Sequence, residues 1–385
     1  MKTRFYFFLS LIIIFYVWIN YYIGSRIWES FFSHFYPDGI FIFWIILFFL
    51  VFSYTFGRLF KIFLPKLRAD FLIVIGAYWM GATVYFLFIF VILDLLNLIS
   101  RFLGGPLVIF ENGPIAGGII IGLMIGLIGY GVWSATNPKV SRYKVAIHKY
   151  GSGIEKVKIV VASDLHLGSL VSTNRVNDLV QCINDLNPDL ILLPGDIVDD
   201  DIFYVLDNEL LEPFKELRAK YGVYASTGNH EYIGGHADRI AEELEKVGVT
   251  VLRDQRVLIS HSFYLIGRED LVFEQFTGTP RKDINELTKD LDHNKPILIL
   301  DHQPTELESH KKAGVDLQVS GHTHKGQLFP FHLVTRKIFK IDWGCLKEDS
   351  FYTIVSSGFG TWGPPIRIGN RSEIVKINVV FKGQA

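Results

Sequence analysis

The sequence predicts a two-part fold, an N-terminal α-helical membrane domain followed by an α/β domain. Three observations carry this. Four long stretches, 5–23, 39–57, 71–93 and 113–138, contain no charged residue. Beyond residue 150 such stretches give way to short apolar runs that alternate with amphipathic ones. The charge balance changes at the same place: residues 1–149 hold 12 Lys and Arg against 5 Asp and Glu, the remainder 26 against 34.

Each charge-free stretch is about as long as the ~20 apolar residues that a helix needs to cross the hydrocarbon core of a bilayer. The first is too long for the ~7–15-residue core of a cleaved signal peptide. The fourth is glycine-rich, which suits close helix packing. The loops decide orientation through their Lys and Arg content. Lys2 and Arg4 precede the first span, and loop 24–38 has only Arg26. Loop 58–70 has Arg58, Lys61, Lys66 and Arg68; loop 100–112 has only Arg101; Lys139, Arg142, Lys144 and Lys149 follow the fourth span. This alternation predicts an integral protein of the inner or plasma membrane with both termini and the second domain in the cytoplasm. Asp94, at the end of the third span, reads as a carboxylate near the outer interface. The expected division is a membrane domain at 1–138, a short polar connector at 139–153 and a second domain at 154–385.

In the second domain, apolar runs at 157–162, 189–193, 222–226, 262–267, 296–300 and 316–320 predict strands. Amphipathic stretches at 173–187, 236–247 and 304–313 predict helices between them, the alternation of an α/β domain. Beyond 325 helical patterns fade, and 351–356 and 373–381 predict a β-rich close. The acidic balance argues against a nucleic-acid surface, which needs clustered Lys and Arg. Cys182 and Cys345 stand apart in no metal-spacing motif, so no disulfide framework is indicated.

Polar clusters follow the apolar runs five times: "SDLH", "PGDIVD", "TGNHE", "DHQP" and "SGHTH". Sites of open α/β sheets form at the carboxyl ends of strands. Residues two apart on an extended chain point the same way, so Asp164 and His166 can reach one point, as can His322 and His324. Carboxylate, amide and imidazole without thiolate suit Mn, Fe or Zn. Asp164, His166, Asp196, Asn229, His302, His322 and His324 are too many for one tetrahedral ion and predict two divalent metal ions. The histidines outside the clusters, His310 and His236 among them, read as ordinary surface or interface residues, with His236 alone close to a motif.

These clusters resemble those of the calcineurin-like metallophosphoesterase superfamily: D-x-H at Asp164/His166, G-D-x-x-D at Asp196/Asp199, G-N-H-[D/E] at Asn229, His230 and Glu231, a lone His302, and G-H-x-H at His322/His324. The closing "SSGFGTWGPPIRIGNRSEI" is similar to the membrane-associated bacterial branch of YaeI- and YkuE-type phosphoesterases. The resemblance implies a four-layer α/β/β/α sandwich and a metal-dependent phosphodiester or pyrophosphate hydrolase. It implies that Asp164, His166 and His324 hold one ion, that Asn229, His302 and His322 hold the other, and that Asp196 bridges them around a hydroxide nucleophile. His230 then touches the substrate phosphate or protonates the leaving group, Glu231 orients His230, and Asp199 fixes a ligand histidine. Arg367 and Arg371 stand as phosphate contacts or as solvated surface residues.

The membrane anchor favours a lipid-linked phosphate substrate beside the lipid bilayer itself as partner. A tethered phosphodiesterase for soluble nucleotides is the alternative enzyme. A metal-binding membrane sensor or transport protein without catalysis is the alternative of another class; such a protein has no need of both Asp196 and His230.

Overall fold

The computed structural model describes residues 2–60, 66–104, 113–199 and 201–383. The chain divides into two compact units, Met1–Val132 with Gly363–Ile366, and Trp133–Trp362 with Arg367–Ala385. The first unit is built of helices at Lys2–Ile27, Ile40–Leu59, Lys66–Phe102 and Pro114–Thr136. Among the described residues, four helices are long and apolar enough to cross a membrane. Their large apolar side chains are widely exposed, as at Ile12, Phe41 and Ile125, the reverse of a water-facing surface. Polar side chains instead turn inward: Trp79 Nε1 donates to Asn20 Oδ1 at 2.8 Å, and Asn20 is buried. Such hydrogen bonds hold apolar helices together where the hydrophobic effect cannot. Asp94 is paired by Arg26 at 2.7 Å. Lys61 and residues 105–112, which enter the loop-charge argument, lie outside the described residues.

Among the described residues, twelve strands form two sheets in the second unit. In chain order they are β1 (Lys139–Ile147), β2 (Lys156–Val161), β3 (Leu190–Pro194), β4 (Val223–Ser226), β5 (Val249–Val251), β6 (Gln255–Ile259), β7 (Phe263–Gly267), β8 (Ile297–Leu300), β9 (Leu317–Ser320), β10 (Gly344–Glu348), β11 (Phe351–Val355) and β12 (Glu373–Phe381). One sheet runs β1-β12-β2-β3-β4-β5, the other β10-β11-β9-β8-β7-β6. Alternate residues face opposite sides, which makes three apolar layers from two sheets. Val157, Ile159, Leu190 and Leu192 meet Leu265, Leu298, Leu300 and Val319 between the sheets. Val160, Ile191 and Leu193 turn outward onto the helices Thr173–Asp185 and Ala237–Lys246. Ile297 and Ile299 do the same under the helix Leu307–Lys312. The result is an α/β/β/α sandwich. Central strands covered on both faces are mostly apolar, which is why they read as near-continuous runs.

The six apolar runs and both closing segments become strands. Residues 139–147, expected to be connector, form β1 instead, parallel to β12. Tyr143, Val145 and Ile147 turn into the inter-sheet core while Arg142 and Lys144 stay exposed. This edge strand hides a period-two pattern among its charges, the usual protection of a sheet edge. The short strands β5, β6 and β10 and the helix His332–Ile338 have no matching expectation.

Candidate metal centre

Strands β2, β3 and β4 run parallel to one another, as do β7, β8 and β9 in the other sheet. Their carboxyl ends therefore release five polar clusters along one edge of the sandwich. The spacing argument assumed extended chain at the exits, and there the structure differs. Asp164 (φ 53°), His166 (φ 48°), Asp196 (φ 53°), His322 (φ 69°) and His324 (φ 47°) all adopt left-handed backbone. That turn brings side chains inward within a residue or two of the strand end. Asp, Asn and His tolerate it better than branched residues, at about 1–3 kcal/mol each. Backbone hydrogen bonds between exits hold it: Asp164 N to Gly195 O, His166 N to Asp196 O, and Gly321 N to His302 O.

The side chains gather in adjoining groups. Asp164, His166 and His324 form one, with the two imidazole Nε2 atoms 3.0 Å apart and Asp164 Oδ1 3.5 Å from His324 Nε2. Asp196, His302 and His322 form another. Here His302 Nε2 lies 3.1 Å from Asp196 Oδ2 and 3.3 Å from His322 Nδ1, and Asn229 Oδ1 is 3.0 Å from the same His322 nitrogen. Asp196 Oδ2 is also 3.9 Å from His166 Nε2, so this one carboxylate touches both groups. Pro194 O, 2.8 Å from His302 Nδ1, can only accept, which puts a proton on Nδ1 and aims Nε2 at Asp196.

Asp199 stands between two imidazoles, its Oδ1 3.3 Å from His166 Nδ1 and 3.1 Å from His230 Nδ1. Burial works against charge on His230, but the hydrogen bond to Asp199 and the charges of Asp196 and Asp199 outweigh it and bring the pKa up to about 9. Glu231 does not reach His230 in the way the resemblance implied. Its buried carboxylate accepts from four backbone amides: Gly228 (2.7 Å), Ile197 (2.8 Å), Asp196 and Val198 (both 3.1 Å). It stitches the exit of β3 to that of β4 and so places Asp196. Four converging donors favour the ionised carboxylate although burial raises its pKa.

Both arginines have partners other than a substrate phosphate. Arg367 is fully buried; it donates to Gly358 O, Gly360 O and Asn370 Oδ1, and its Nη2 is 3.2 Å from His324 Nδ1. Arg371 donates to Asn137 O and lies over the Trp133 ring. His236 packs on Phe203. His310 is buried rather than superficial, in a further acid–histidine group with Asp301 and Glu306. That group is already served by cations, since Arg281 pairs with Asp301 and Glu306, and Arg268 Nη1 is 3.3 Å from His310 Nε2. No local signal marks this network, because Arg268 and Arg281 come from distant segments.

The donor set fits divalent cations. Asp164 Oδ2 is buried and has no hydrogen-bond partner among the described residues. Burial, then the charge of His302, pushes His322 down to about 3, and burial with nearby His166 carries His324 well below its ordinary value. Both rings are thus held neutral with a lone pair to give, as ligation requires. The approach is close enough to need glycine. A Cβ on Gly228 would sit 2.2 Å from Asp196 Oδ1. Gly228→Ala is therefore expected to displace that carboxylate and weaken metal binding by about 10–100-fold, read by titration of the metal-depleted protein; unchanged affinity would rule out Asp196 as a ligand.

The chain is similar in sequence to known proteins. The family described as calcineurin-like phosphoesterase matches residues 157–326. An uncharacterized metallophosphoesterase of Helicobacter pylori is 33% identical over 272 residues, covering 69% of this chain and 71% of that protein. A transmembrane protein with metallophosphoesterase domain from Danio rerio is 27% identical over 274 residues, covering 69% and 62%. Phosphodiesterase YaeI of Escherichia coli is 28% identical over 270 residues, covering 66% and 93%.

Proposed function

Since the chain belongs to the calcineurin-like metallophosphoesterase family, we propose that this membrane protein is a binuclear metal-dependent hydrolase of phosphodiester or pyrophosphate bonds. The observation that carries the binuclear reading is Asp196, whose Oδ2 is shared between the group around His166 and the group around His302. Asp164, His166 and His324 hold one ion; Asn229, His302 and His322 hold the other. Bound divalent ions supply a water acidified toward neutral pH and neutralise charge on the phosphoryl oxygens. The identity of the ions is Mn, Fe or Zn by donor chemistry. His230 keeps a proton on the rim of the site for the leaving oxygen, and Asp199 orients that ring from Nδ1. Glu231 holds the Asp196 loop in place, and Arg367 braces His324 from behind.

The test is hydrolysis of a chromogenic phosphodiester by the full chain in lipid nanodiscs, with and without chelator. A fragment cut at residue 150 would lose β1 and is unsuitable. Activity restored by Mn²⁺ or Zn²⁺ after chelation supports the hydrolase; folded, metal-loaded protein inert toward diesters, pyrophosphates and monoesters would overturn it. His230→Ala is expected to cost about 10²–10⁴ in rate, and less with a leaving group of low pKa that needs no proton. An equal loss for all leaving groups would remove the acid role from His230.

The membrane spans, with the E. coli relative named as a phosphodiesterase, support an amphiphilic, lipid-linked phosphate as substrate. Residues 1–138 form the membrane domain and the hydrolase lies on the cytoplasmic side, as the Lys and Arg of loop 58–70 and residues 139–149 favour. A C-terminal reporter active only outside the cytoplasm is expected to stay silent; a strong signal would invert the topology.

A further inference from the structure

Exposed apolar side chains are unevenly spread over the second unit. Of its exposed large apolar residues, Phe329, Phe331, Leu333, Val334 and Ile338 fall within ten positions. Leu333 is 61% exposed, Ile338 67% and Phe329 54%. Trp362, 60% exposed, joins them, because both ends of the Gln327 side-chain amide bond the backbone of Trp362 at 2.9 Å. The unit's other exposed large apolar residues, Tyr150, Phe203, Ile233 and Phe276 among them, are scattered along the chain, and the cores on both faces of the sheets are fully buried, so the patch is not a symptom of loose packing. A concentrated patch of this kind marks an interaction surface.

Its chemistry narrows the partner. The exposed Arg336 and Lys337 sit between Val334 and Ile338, and no acidic residue occurs from Lys325 to Ile341. Arg336 has only a long contact to Asp342, Nε to Oδ1 at 4.0 Å, whereas Lys340 is held close by both Glu308 and Glu348. Large apolar side chains interleaved with cations on a short helix are the composition of a segment lying in the headgroup layer of a membrane. The chain places such a layer within reach: only Asn137 and Pro138 separate the apolar helix Pro114–Thr136 from β1, on the order of 10 Å of backbone. A soluble protein partner would not be specified by proximity to a bilayer.

We infer that the segment Phe329–Ile338, together with Trp362, is a membrane-docking surface that seats in the interface of an anionic lipid bilayer. The patch adjoins the metal centre: the segment begins five residues after His324, and the Phe339 ring packs edge-on against the His322 ring at 5.9 Å. A phosphate carried by a lipid thus enters the site from the layer in which the patch rests. The inference rests on the membrane reading and is independent of catalysis.

The test places spin labels on the full chain, with Cys182 and Cys345 replaced by Ser, in vesicles of phosphatidylglycerol and phosphatidylethanolamine. Labels go at Leu333→Cys and Ile338→Cys, at Glu242→Cys as an exposed control, and at Ile46→Cys in an apolar span. Collision with oxygen, which partitions into lipid, is compared with collision with a water-soluble nickel complex. The expected result is oxygen dominant at 333, 338 and 46, and nickel dominant at 242. Arg336→Glu with Lys337→Glu is expected to lower the lipid signal at 333 by at least about two-fold, and the same loss is expected for the native pair when the vesicles are zwitterionic. Nickel dominance at 333 and 338 with lipid exposure at 46 would overturn the docking surface and leave the membrane reading standing. Aqueous signals at 46 as well would overturn both. Protection from both reagents at 333 would mean a protein partner, a second copy included, and would overturn the proposal too.

Discussion

Replacing Asp196 by Asn is expected to lower kcat/KM by at least about 10³-fold, because water acidification and phosphoryl neutralisation are the largest contributions a metal site makes to hydrolysis. Burial opposes charge on Asp196, but the charge and hydrogen bond of His302 outweigh it and hold the carboxyl well below the usual range. It is thus a carboxylate with His302 on one side and His166 on the other. The amide of Asn can keep the Oδ1 contact that His230 N makes at 2.9 Å and loses the negative oxygen that faces both groups. Fold should survive while metal content falls. The measurements are metal stoichiometry by mass spectrometry and kcat/KM on the same preparation. Two ions bound per chain with activity within tenfold of the native protein would sink the shared-ligand reading.

Glu231→Ala should give the largest stability loss at this edge of the sandwich. It strips partners from the amides of Asp196, Ile197, Val198 and Gly228, all at buried positions. An unsatisfied buried donor costs ~1–3 kcal/mol; with some relaxation the total is roughly 4 kcal/mol, read as a lower midpoint of chemical unfolding. Glu231→Gln keeps one oxygen and should cost roughly half as much, since each carboxylate oxygen serves two of the four amides. If Gln and Ala were equally disruptive, or both harmless, the carboxylate would not be what joins the β3 and β4 exits.

The parts of the molecule differ in how openly the sequence displays them. β3 and β8 are covered on both faces and apolar at every residue, so the run stands out; β2 and β9 add only Lys156, Lys158, Gln318 and Ser320 to theirs. β1 and the helix His332–Ile338 are not so covered: one alternates charge with core residues, the other carries apolar side chains that point away from the core. The candidate metal-ligand types were legible because Asp, Asn and His directly after apolar runs have little structural use there. The backbone by which they converge was not legible. Left-handed φ at Asp164, His166, Asp196, His322 and His324 follows from bonding between neighbouring strand exits, not from any residue alone. Glu231 shows the same limit. Its place after Asn229-His230 marks a motif, yet its four partners include three from a loop more than thirty residues earlier.

The sequence by itself determined the apolar spans, the strand-rich second half and the chemical kind of the site, because these depend on composition and on periods of a few residues. Only the tertiary structure decided that β1 closes the sheet, that Arg367 is buried behind His324, and that Phe329–Ile338 and Trp362 form one exposed face. Each of these depends on contacts between segments far apart in the chain, where the free energy of burial or of a hydrogen bond depends on a partner that no local pattern names.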